Sequence, residues 1–213
     1  MQVNIKAVVD NFKNINIKNV IFEAIMNAID AKTTKIDIKV HTSSLDEGNQ
    51  KPYIDKMEVI DNGEGFIQES IKSFEEYRSE YKKSLGCKGI GRFIYLKIFE
   101  TIRIQSQNVE IDFSIKGVNS KQIDEHHQLT NICFANPKQN SYIDFDTIAQ
   151  DIREHFLAYF KLQKEEIQID VYENLKGSIK STDIPQFETK VFEIKNYSFT
   201  ISYIFGNHEI KIT

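Results

Sequence analysis

The chain has 213 residues, of which 40% are hydrophobic, so it can bury one good core and at most a second, smaller unit. The formal net charge of −4 argues against a protein whose whole surface binds nucleic acid or an anionic membrane. The N-terminus lacks the apolar core of a signal peptide, no run approaches transmembrane length, and Cys87 and Cys133 have no metal-type spacing. These features predict a cytoplasmic protein with reduced thiols and no membrane partner.

The first strongly patterned element is a helix predicted over residues 19–32, NVIFEAIMNAIDAK. Its apolar side chains recur at helical spacing and form one face, which comprises Ile21, Ile25, Ala28 and Ile29. Offsets of four and three residues put Glu23, Asn27 and Asp30 together on the opposite face. A carboxylate, an amide and a second carboxylate in this order are also compatible with an ordinary surface helix.

Two strands and a glycine-containing turn follow the helix. Alternating apolar residues predict strands over residues 35–42 and 56–60, and the second strand ends at the string DNGEGF, residues 61–66. A tight hairpin turn is the simplest interpretation of this string, but no matching strand follows it at once. Residues 67–84 instead predict a polar, charged and helical segment that could act as a lid.

The string LGCKGIGRF, residues 85–93, predicts a glycine loop that enters a helix over residues 94–99. Glycines at a helix N-terminus let backbone N–H groups approach phosphate oxygens, and the helix dipole favours an anion there. Lys88 and Arg92 lie close by, where they either balance phosphate charge or are solvated. The glycines themselves are equally compatible with a packing or turn role; they are Gly86, Gly89 and Gly91.

The rest of the chain alternates predicted strands with one loop and one helix. In order these are an antiparallel strand pair at residues 100–106 and 109–116, a polar loop at 119–127, a strand at 129–135 and a helix at 146–160. The pair His126 and His127 falls in the predicted loop and is interpreted as solvated. From residue 166 the pattern is rich in strands. A last strand that runs to the final residue suggests a chain cut inside a second domain, with a natural end in a sheet as the alternative.

Three motifs therefore stand in a fixed order: E-x-x-x-N on a helix, D-x-G-x-G at a strand end and G-x-x-G-x-G entering a helix. Together they closely resemble the GHKL (Bergerat-fold) ATPases, which include DNA gyrase B, the large heat-shock chaperones, sensor histidine kinases and MutL. The matching strings are EAIMNAIDA, DNGEGF and LGCKGIGRF, and the resemblance covers roughly residues 15–165. It implies a two-layer α/β sandwich with a mixed, mostly antiparallel sheet and helices on one face. The ATP-binding domain would comprise residues 1–182, and residues 183–213 would be the truncated start of a second, transducer-like α/β domain.

The resemblance implies an adenine pocket around Asp61. A carboxylate accepts a hydrogen bond from the exocyclic amine of adenine, which favours ATP over GTP. Gly63 and Gly65 would let the backbone pass close to the base and hinge the lid. By its position in a strand, Thr130 resembles the family's threonine that backs this aspartate through water. Asp30 is implied as a support of the pocket, with a solvated or structural carboxylate as the alternative.

The resemblance places the phosphates and the metal at the other two motifs. Asn27 would be a ligand of Mg²⁺, a hard ion that takes oxygen ligands. Glu23, one helical turn earlier, would orient and deprotonate the water that attacks the γ-phosphate of ATP. The remaining residues implied to bind the nucleotide are those of the glycine loop: Gly86, Lys88, Gly89, Ile90, Gly91 and Arg92.

Glu23 also favours the hydrolase branch, which includes MutL, the heat-shock chaperones and the MORC group, because histidine kinases as a group have asparagine at this position. The implied function is a Mg²⁺-dependent ATPase that serves as a nucleotide-driven conformational switch of a larger protein and forms a homodimer with nucleotide bound. Two alternatives stay open: an ATP-binding regulatory module without hydrolysis and, less favoured, a histidine-kinase-like phosphotransfer domain. The sequence indicates no client, and direct nucleic-acid binding by this part of the protein is not expected.

Overall fold

The computed structural model describes residues 4–43, 53–75, 90–145, 147–162, 167–173, 176–180, 188–194 and 197–203. The chain divides into two compact units, Met1–Thr182 and Asp183–Thr213. In the second unit, β7 (Glu188–Ile194) pairs with β8 (Tyr197–Tyr203) in antiparallel fashion.

The first unit combines a sheet with helices. Its helices are α1 (Ile5–Asp10), α2 (Ile17–Asp30), α3 (Gln68–Glu75), α4 (Tyr95–Ile98), α5 (Ile148–His155) and α6 (Leu157–Leu162), with a 3-10 helix at Gly91–Ile94. Its strands are β1 (Lys35–Thr42), β2 (Ile54–Asp61), β3 (Phe99–Ser114), β4 (Gly117–Pro137), β5 (Gln168–Glu173) and β6 (Lys176–Lys180). Among the described residues these strands form one sheet in the order β3-β4-β2-β1-β5-β6.

The sheet is mixed and mostly antiparallel, as predicted. Strand β1 runs antiparallel to β2 and parallel to β5, while the β2–β4, β3–β4 and β5–β6 pairs are antiparallel. A parallel pair needs a long connection between its strands, and here the connection from β1 to β5 contains the other helices and strands that build the site.

One face of the sheet carries the hydrophobic core. Ile36, Ile38 and Val40 alternate along β1 and are fully buried, and they share one core cluster with the apolar face of α2. Residues between them, such as Asp37, point to the other face and are only half-buried. A sheet with its apolar side under helices is the predicted two-layer α/β arrangement.

Helix α2 begins two residues earlier than its apolar pattern predicts. The side chain of Asn16 accepts a hydrogen bond from the Asn19 backbone N–H at 3.3 Å, and the Asn19 side chain accepts one from the Asn16 N–H at 2.9 Å. This reciprocal capping box satisfies N–H groups that the helix cannot satisfy itself, so it fixes the start at Ile17. The helix ends before Lys32, which has a φ of 59°, a left-handed conformation that α-helices do not continue.

The predictions for the β3–β4 region were wrong in two respects. Residues 100–106 and 109–114 are not a strand pair but parts of the single strand β3, which has an irregularity at Gln107 with φ 50°, and residues 115–116 form the turn that follows. The predicted loop at residues 119–127 lies within β4, because the hairpin turns earlier, at residues 115–116, just before Gly117 with φ 145° begins β4. This half of β4 is largely exposed, so it lacks the apolar alternation that identifies a half-buried strand.

Two of the predicted helices are each divided into two shorter elements in the structure. The helix predicted over residues 94–99 is a 3-10 turn followed by the single-turn helix α4, and Phe99 already belongs to β3. The helix predicted over residues 146–160 is two short helices, α5 and α6, that meet at the buried Phe156. Of the predicted lid at residues 67–84, the structure describes only the part that contains α3; residues 76–89 lie outside the described residues.

The sequence predicted neither a membrane span nor a metal site at His126 and His127, and both points can be compared with the described residues. Within them, no helix is both long and apolar enough to cross a membrane. His126 lies in β4 rather than in a loop, and its Nδ1 is 3.0 Å from Asn108 Oδ1. No group of three or more His, Cys, Asp or Glu side chains in the described part of the chain is arranged to hold a metal ion.

Candidate functional site

Helix α2 directs its polar face at the segment that begins with Gly91. The Asn27 amide nitrogen Nδ2 donates a hydrogen bond to the Tyr95 hydroxyl at 2.8 Å and a longer one to Glu23 Oε1 at 3.3 Å. The helix therefore holds a carboxylate and an amide in direct contact, one turn apart. The fold brings both to the 3-10 helix and the start of α4.

Gly91 lies directly against the Glu23 carboxylate. A Cβ built on Gly91 would overlap all three terminal atoms of that side chain, Cδ, Oε1 and Oε2. The absence of a side chain at position 91 is thus what allows the backbone to approach the carboxylate this closely. Of the other predicted loop residues, Ile90 packs against the core and its carbonyl accepts a hydrogen bond from the Phe93 N–H at 3.1 Å. Gly86, Lys88 and Gly89 lie outside the described residues.

Arg92 is buried rather than solvated, and its role toward phosphate stays a prediction. It is only 8% exposed, and its guanidinium carbon lies 5.1 Å from the ring centre of Phe74 and 4.6 Å from that of Phe93. Burial lowers the pKa of Arg92 to about 10, against the opposing effects of Tyr95 and Glu23. The side chain therefore stays cationic at neutral pH, and its charge interacts with that of Glu23.

Tyr95 is a member of the site that the motifs did not identify. It is 1% exposed, and burial, followed by the charge of Glu23, raises the pKa of its phenol well above the usual value. The hydroxyl therefore stays protonated and serves as a hydrogen-bond partner of the amide of Asn27. The signal in the sequence was a hydroxyl in the otherwise apolar string FIYL, four residues after Gly91.

Asp61 ends β2 in a buried position, 4% exposed, where its Oδ1 accepts a hydrogen bond from the Gly63 N–H at 2.9 Å. Thr130 is its partner across the β2–β4 ladder, so the two side chains lie on the same face of the sheet. Thr130 Oγ1 is 2.9 Å from Ser106 Oγ, which also accepts a hydrogen bond from the Phe66 N–H at 3.0 Å. The hydroxyl groups thus tie the end of the DNGEGF turn to β3 and β4.

The glycines of this turn are needed for close packing. A Cβ on Gly63 would lie 2.6 Å from the carbonyl oxygen of Ala31, and one on Gly65 would lie 2.7 Å from Ser106 Oγ. Gly65 also has a φ of 74°, which favours glycine. The Glu64 N–H donates to the same Ala31 carbonyl at 2.8 Å, so the turn is attached to the C-terminal end of α2.

Asn62 is a second residue that the motifs did not single out for a role. Its Oδ1 accepts hydrogen bonds from Thr33 Oγ1 at 2.7 Å, the Thr34 N–H at 3.0 Å and the Lys35 N–H at 2.9 Å. One asparagine side chain therefore fastens the end of β2 to the connection between α2 and β1. This is a structural role in support of Asp61, which precedes it.

Asp30 lies near Tyr159 of α6. The pKa of the Tyr159 phenol is raised by burial and, to a lesser extent, by the negative charge of Asp30. The charge of Asp30 therefore acts on a residue of a helix that carries none of the three motifs. Its role at the adenine pocket stays a prediction.

Burial of Asp61 has a testable consequence for stability. Burial raises the pKa of this carboxyl from 3.8 to about 6, against the opposing hydrogen bond from Gly63. The pKa of this carboxyl is higher in the folded state than in the unfolded state. Asp61 therefore stabilises the folded state below about pH 4, and this stabilisation is lost as the pH rises through about 6. The loss amounts to about 3 kcal/mol at most.

The measurement is urea unfolding of the ligand-free protein between pH 4 and pH 7, wild type beside Asp61→Asn. Asparagine does not ionise. We therefore expect the free energy of unfolding of the variant minus that of the wild type to increase as the pH rises. A difference between the two proteins that is constant over this range would contradict the raised pKa.

The donor set at Asn27 fits a hard divalent cation. An ionised carboxylate can only accept hydrogen bonds, so the Asn27 atom that is hydrogen-bonded to Glu23 must be the amide nitrogen Nδ2. The amide oxygen Oδ1 is on the other branch, so neither of these two hydrogen bonds uses it. A neutral amide oxygen beside a carboxylate is suitable for Mg²⁺, which takes oxygen ligands and retains water.

Comparison with known proteins gives a family and similar solved structures. The family model described as "Histidine kinase-, DNA gyrase B-, and HSP90-like ATPase" matches residues 15–151. Among solved structures, the chain is similar to the Aquifex aeolicus MutL ATPase domain complexed with ADP, with 14% identity, a TM-score of 0.49, and coverage of 84% of this chain and 73% of that one. No curated protein matches the chain.

Proposed function

The chain belongs to the histidine kinase-, DNA gyrase B- and HSP90-like ATPase family, the GHKL ATPases, and from this membership and the geometry of the site we propose that it hydrolyses ATP as the nucleotide-driven switch of a larger protein. Family membership supports ATP binding. The observation that carries the proposal of hydrolysis is the Glu23 carboxylate, held against Gly91 and in contact with the Asn27 amide.

The site extends along α2. Glu23 and Asn27 meet the segment at Gly91, while the C-terminal end of the helix, at Ala31, contacts Gly63 next to Asp61. Residues 23 to 31 cover about 12 Å at 1.5 Å per residue. An elongated ligand with a base at one end and phosphates at the other suits this separation of two carboxylates.

Asp61 would bind the adenine. Its carboxylate accepts a hydrogen bond from the exocyclic amine of adenine, whereas guanine has a carbonyl oxygen at the equivalent position and would be repelled. Burial strengthens both effects, because a buried acceptor without its donor is costly. The neighbouring Thr130 hydroxyl supports the same pocket.

Glu23 would act as the general base. It would take a proton from a water molecule whose oxygen attacks the γ-phosphorus, while the bond from this phosphorus to the bridging oxygen of ADP breaks. Asn27 Oδ1 would hold Mg²⁺, which supplies positive charge that stabilises the phosphate oxygens. The buried charge of Arg92 would act on the same oxygens.

The switch itself would involve the lid and the second unit. Phe74 of α3 lies over the Arg92 guanidinium, so the first turns of the predicted lid already contact a residue of the phosphate end. Closure of residues 67–84 over ATP would favour a homodimer of the full-length protein, and hydrolysis would reset it. In the same proposal, residues 1–182 are the ATP-binding domain, residues 183–213 begin a transducer-like domain, and the protein acts in the cytoplasm.

The experiment that tests this function is ATP binding and turnover by the purified chain with Mg²⁺. The proposal requires both binding and release of inorganic phosphate. Binding without turnover would instead favour the regulatory module without hydrolysis, and transfer of labelled γ-phosphate to protein would favour a phosphotransfer domain. Absence of binding would contradict the assignment of the nucleotide site.

Gly91→Ala is expected to lower turnover by about 10²-fold, because the added Cβ displaces the Glu23 carboxylate by about 1 Å or more. The clashing atoms are the mobile end of a side chain, so urea unfolding should show little change in stability. The Glu23→Gln single variant and the Glu23→Gln/Gly91→Ala double variant form the control pair. If Gly91 acts through Glu23, the two have the same residual turnover; a further large loss in the double variant would contradict this.

A further inference from the structure

Tyr95 carries a hydroxyl at a position where a phenylalanine would fill the core equally well. Its ring is fully buried and lies edge-on to Phe134, with centroids 5.0 Å apart. A hydroxyl in such surroundings is unfavourable unless it has a hydrogen-bond partner. The partner here is the Asn27 amide nitrogen at 2.8 Å, which links the core to the polar face of α2.

This bond is the shorter of the two that orient the Asn27 amide. Both use Nδ2, and the second, to Glu23 Oε1, is 3.3 Å long. The terminal torsion of an asparagine side chain has a broad energy profile, so hydrogen bonds decide where its oxygen points. With Nδ2 held between Tyr95 and Glu23, the planar amide presents Oδ1 on the opposite side.

We propose that Tyr95 is a positioning residue whose hydroxyl fixes the Asn27 amide so that Oδ1 faces the divalent cation of the bound nucleotide. Through the bond from Asn27 to Glu23, it also restrains the carboxylate that activates water. This inference rests on the function proposed above. Hydrogen-bond partners behind a metal ligand commonly change metal affinity or activity by about 10–100-fold when they are removed.

The test is Tyr95→Phe, which keeps the ring in its packing and removes only the hydroxyl. The readout is the affinity for Mn²⁺ of the complex with a non-hydrolysable ATP analogue, measured by electron paramagnetic resonance. We expect this affinity to fall about 10–100-fold, with turnover falling alongside it. The affinity for ATP in EDTA, measured by titration calorimetry, should stay at the wild-type value, and this also shows that the variant is folded.

Tyr172→Phe is the matched control, because Tyr172 lies on β5 next to Asp37, on the face of the sheet that points away from the core. It should leave Mn²⁺ affinity and turnover unchanged. A double-variant cycle with Asn27→Ala tests the route of the effect, since residues that act through one another are not additive. We expect Tyr95→Phe to weaken Mn²⁺ binding in the wild type but not in the Asn27→Ala background.

The possible failures are distinguishable. Wild-type Mn²⁺ affinity and turnover in Tyr95→Phe, or equal effects of this substitution with and without Asn27, would overturn the role of Tyr95 and leave the proposed function intact. If the wild-type chain bound ATP neither in EDTA nor with Mg²⁺, both the proposed function and this inference would be overturned.

Discussion

Replacing Glu23 with glutamine is expected to lower ATP turnover by about 10²–10⁴-fold, the usual contribution of a general base. Glutamine has nearly the same shape and keeps an oxygen that can accept the hydrogen bond from Asn27, so the local packing should persist. It cannot take a proton from water at neutral pH. ATP affinity should therefore stay close to that of the wild type, and phosphate release under single-turnover conditions should nearly disappear.

Glu125→Gln is the control for a change of charge alone, since the Glu125 side chain on β4 is 76% exposed. Its turnover should equal that of the wild type. If Glu23→Gln retained most of the wild-type rate, Glu23 would not be the base, and another group in the site would have to activate the water. If the wild type itself showed no turnover, the module without hydrolysis would be the better description.

Asp61→Asn is expected to weaken ATP binding without lowering the stability of the ligand-free protein. ATP affinity should fall about 10–100-fold, because a hydrogen bond to a charged group contributes about 1.5–3 kcal/mol and each 1.4 kcal/mol is a factor of about ten. The ligand-free protein should be as stable as the wild type at pH 7 or more stable, because the variant no longer buries a charge. By contrast, substitution of a residue that matters only for folding lowers the stability of the protein.

Titration calorimetry with ATP and urea unfolding at pH 7 measure the two quantities on the same sample. The matched control is Asp112→Asn, whose side chain is 45% exposed in an ion pair with Arg103, so its effects on stability and ATP affinity should be small. A variant at Asp61 that binds ATP like the wild type but unfolds more easily would show that this carboxylate is structural.

The helix-borne part of the site was predictable because its geometry is local. Glu23 and Asn27 lie one turn apart, so any helix through them puts their side chains on one face. The family resemblance is confirmed, and Asp61 lies at the end of a strand as expected. The placement of Thr130 opposite Asp61 depends on the register of two strands, whereas the resemblance indicated only a position in a strand.

Tyr95 was missed for the opposite reason. Its partner Asn27 is 68 positions away along the chain, and its own neighbours are apolar, so the local pattern indicated only a core residue. Arg92 illustrates the same limit, because the choice between a solvated and a buried guanidinium depends on Phe74, from a different helix. Contacts between distant segments decide these roles.

The errors in the fold also have a physical origin. Strand prediction depends on one buried face, and residues 117–129 of β4 have no fully buried position. They are held by ladder hydrogen bonds to β3, which do not depend on side-chain type. The irregularity at Gln107 resembled a turn because polar residues flank it, although β3 continues through it.

The central claim, an ATP site that extends along α2, is tested most directly by a crystal structure of the chain with Mg²⁺ and a non-hydrolysable ATP analogue. We predict the adenine amine on the Asp61 carboxylate, the cation on Asn27 Oδ1, and the γ-phosphate next to Glu23 and the Gly91 backbone. An analogue bound elsewhere, or bound in this site with its base at Glu23 and its phosphates at Asp61, would contradict the account.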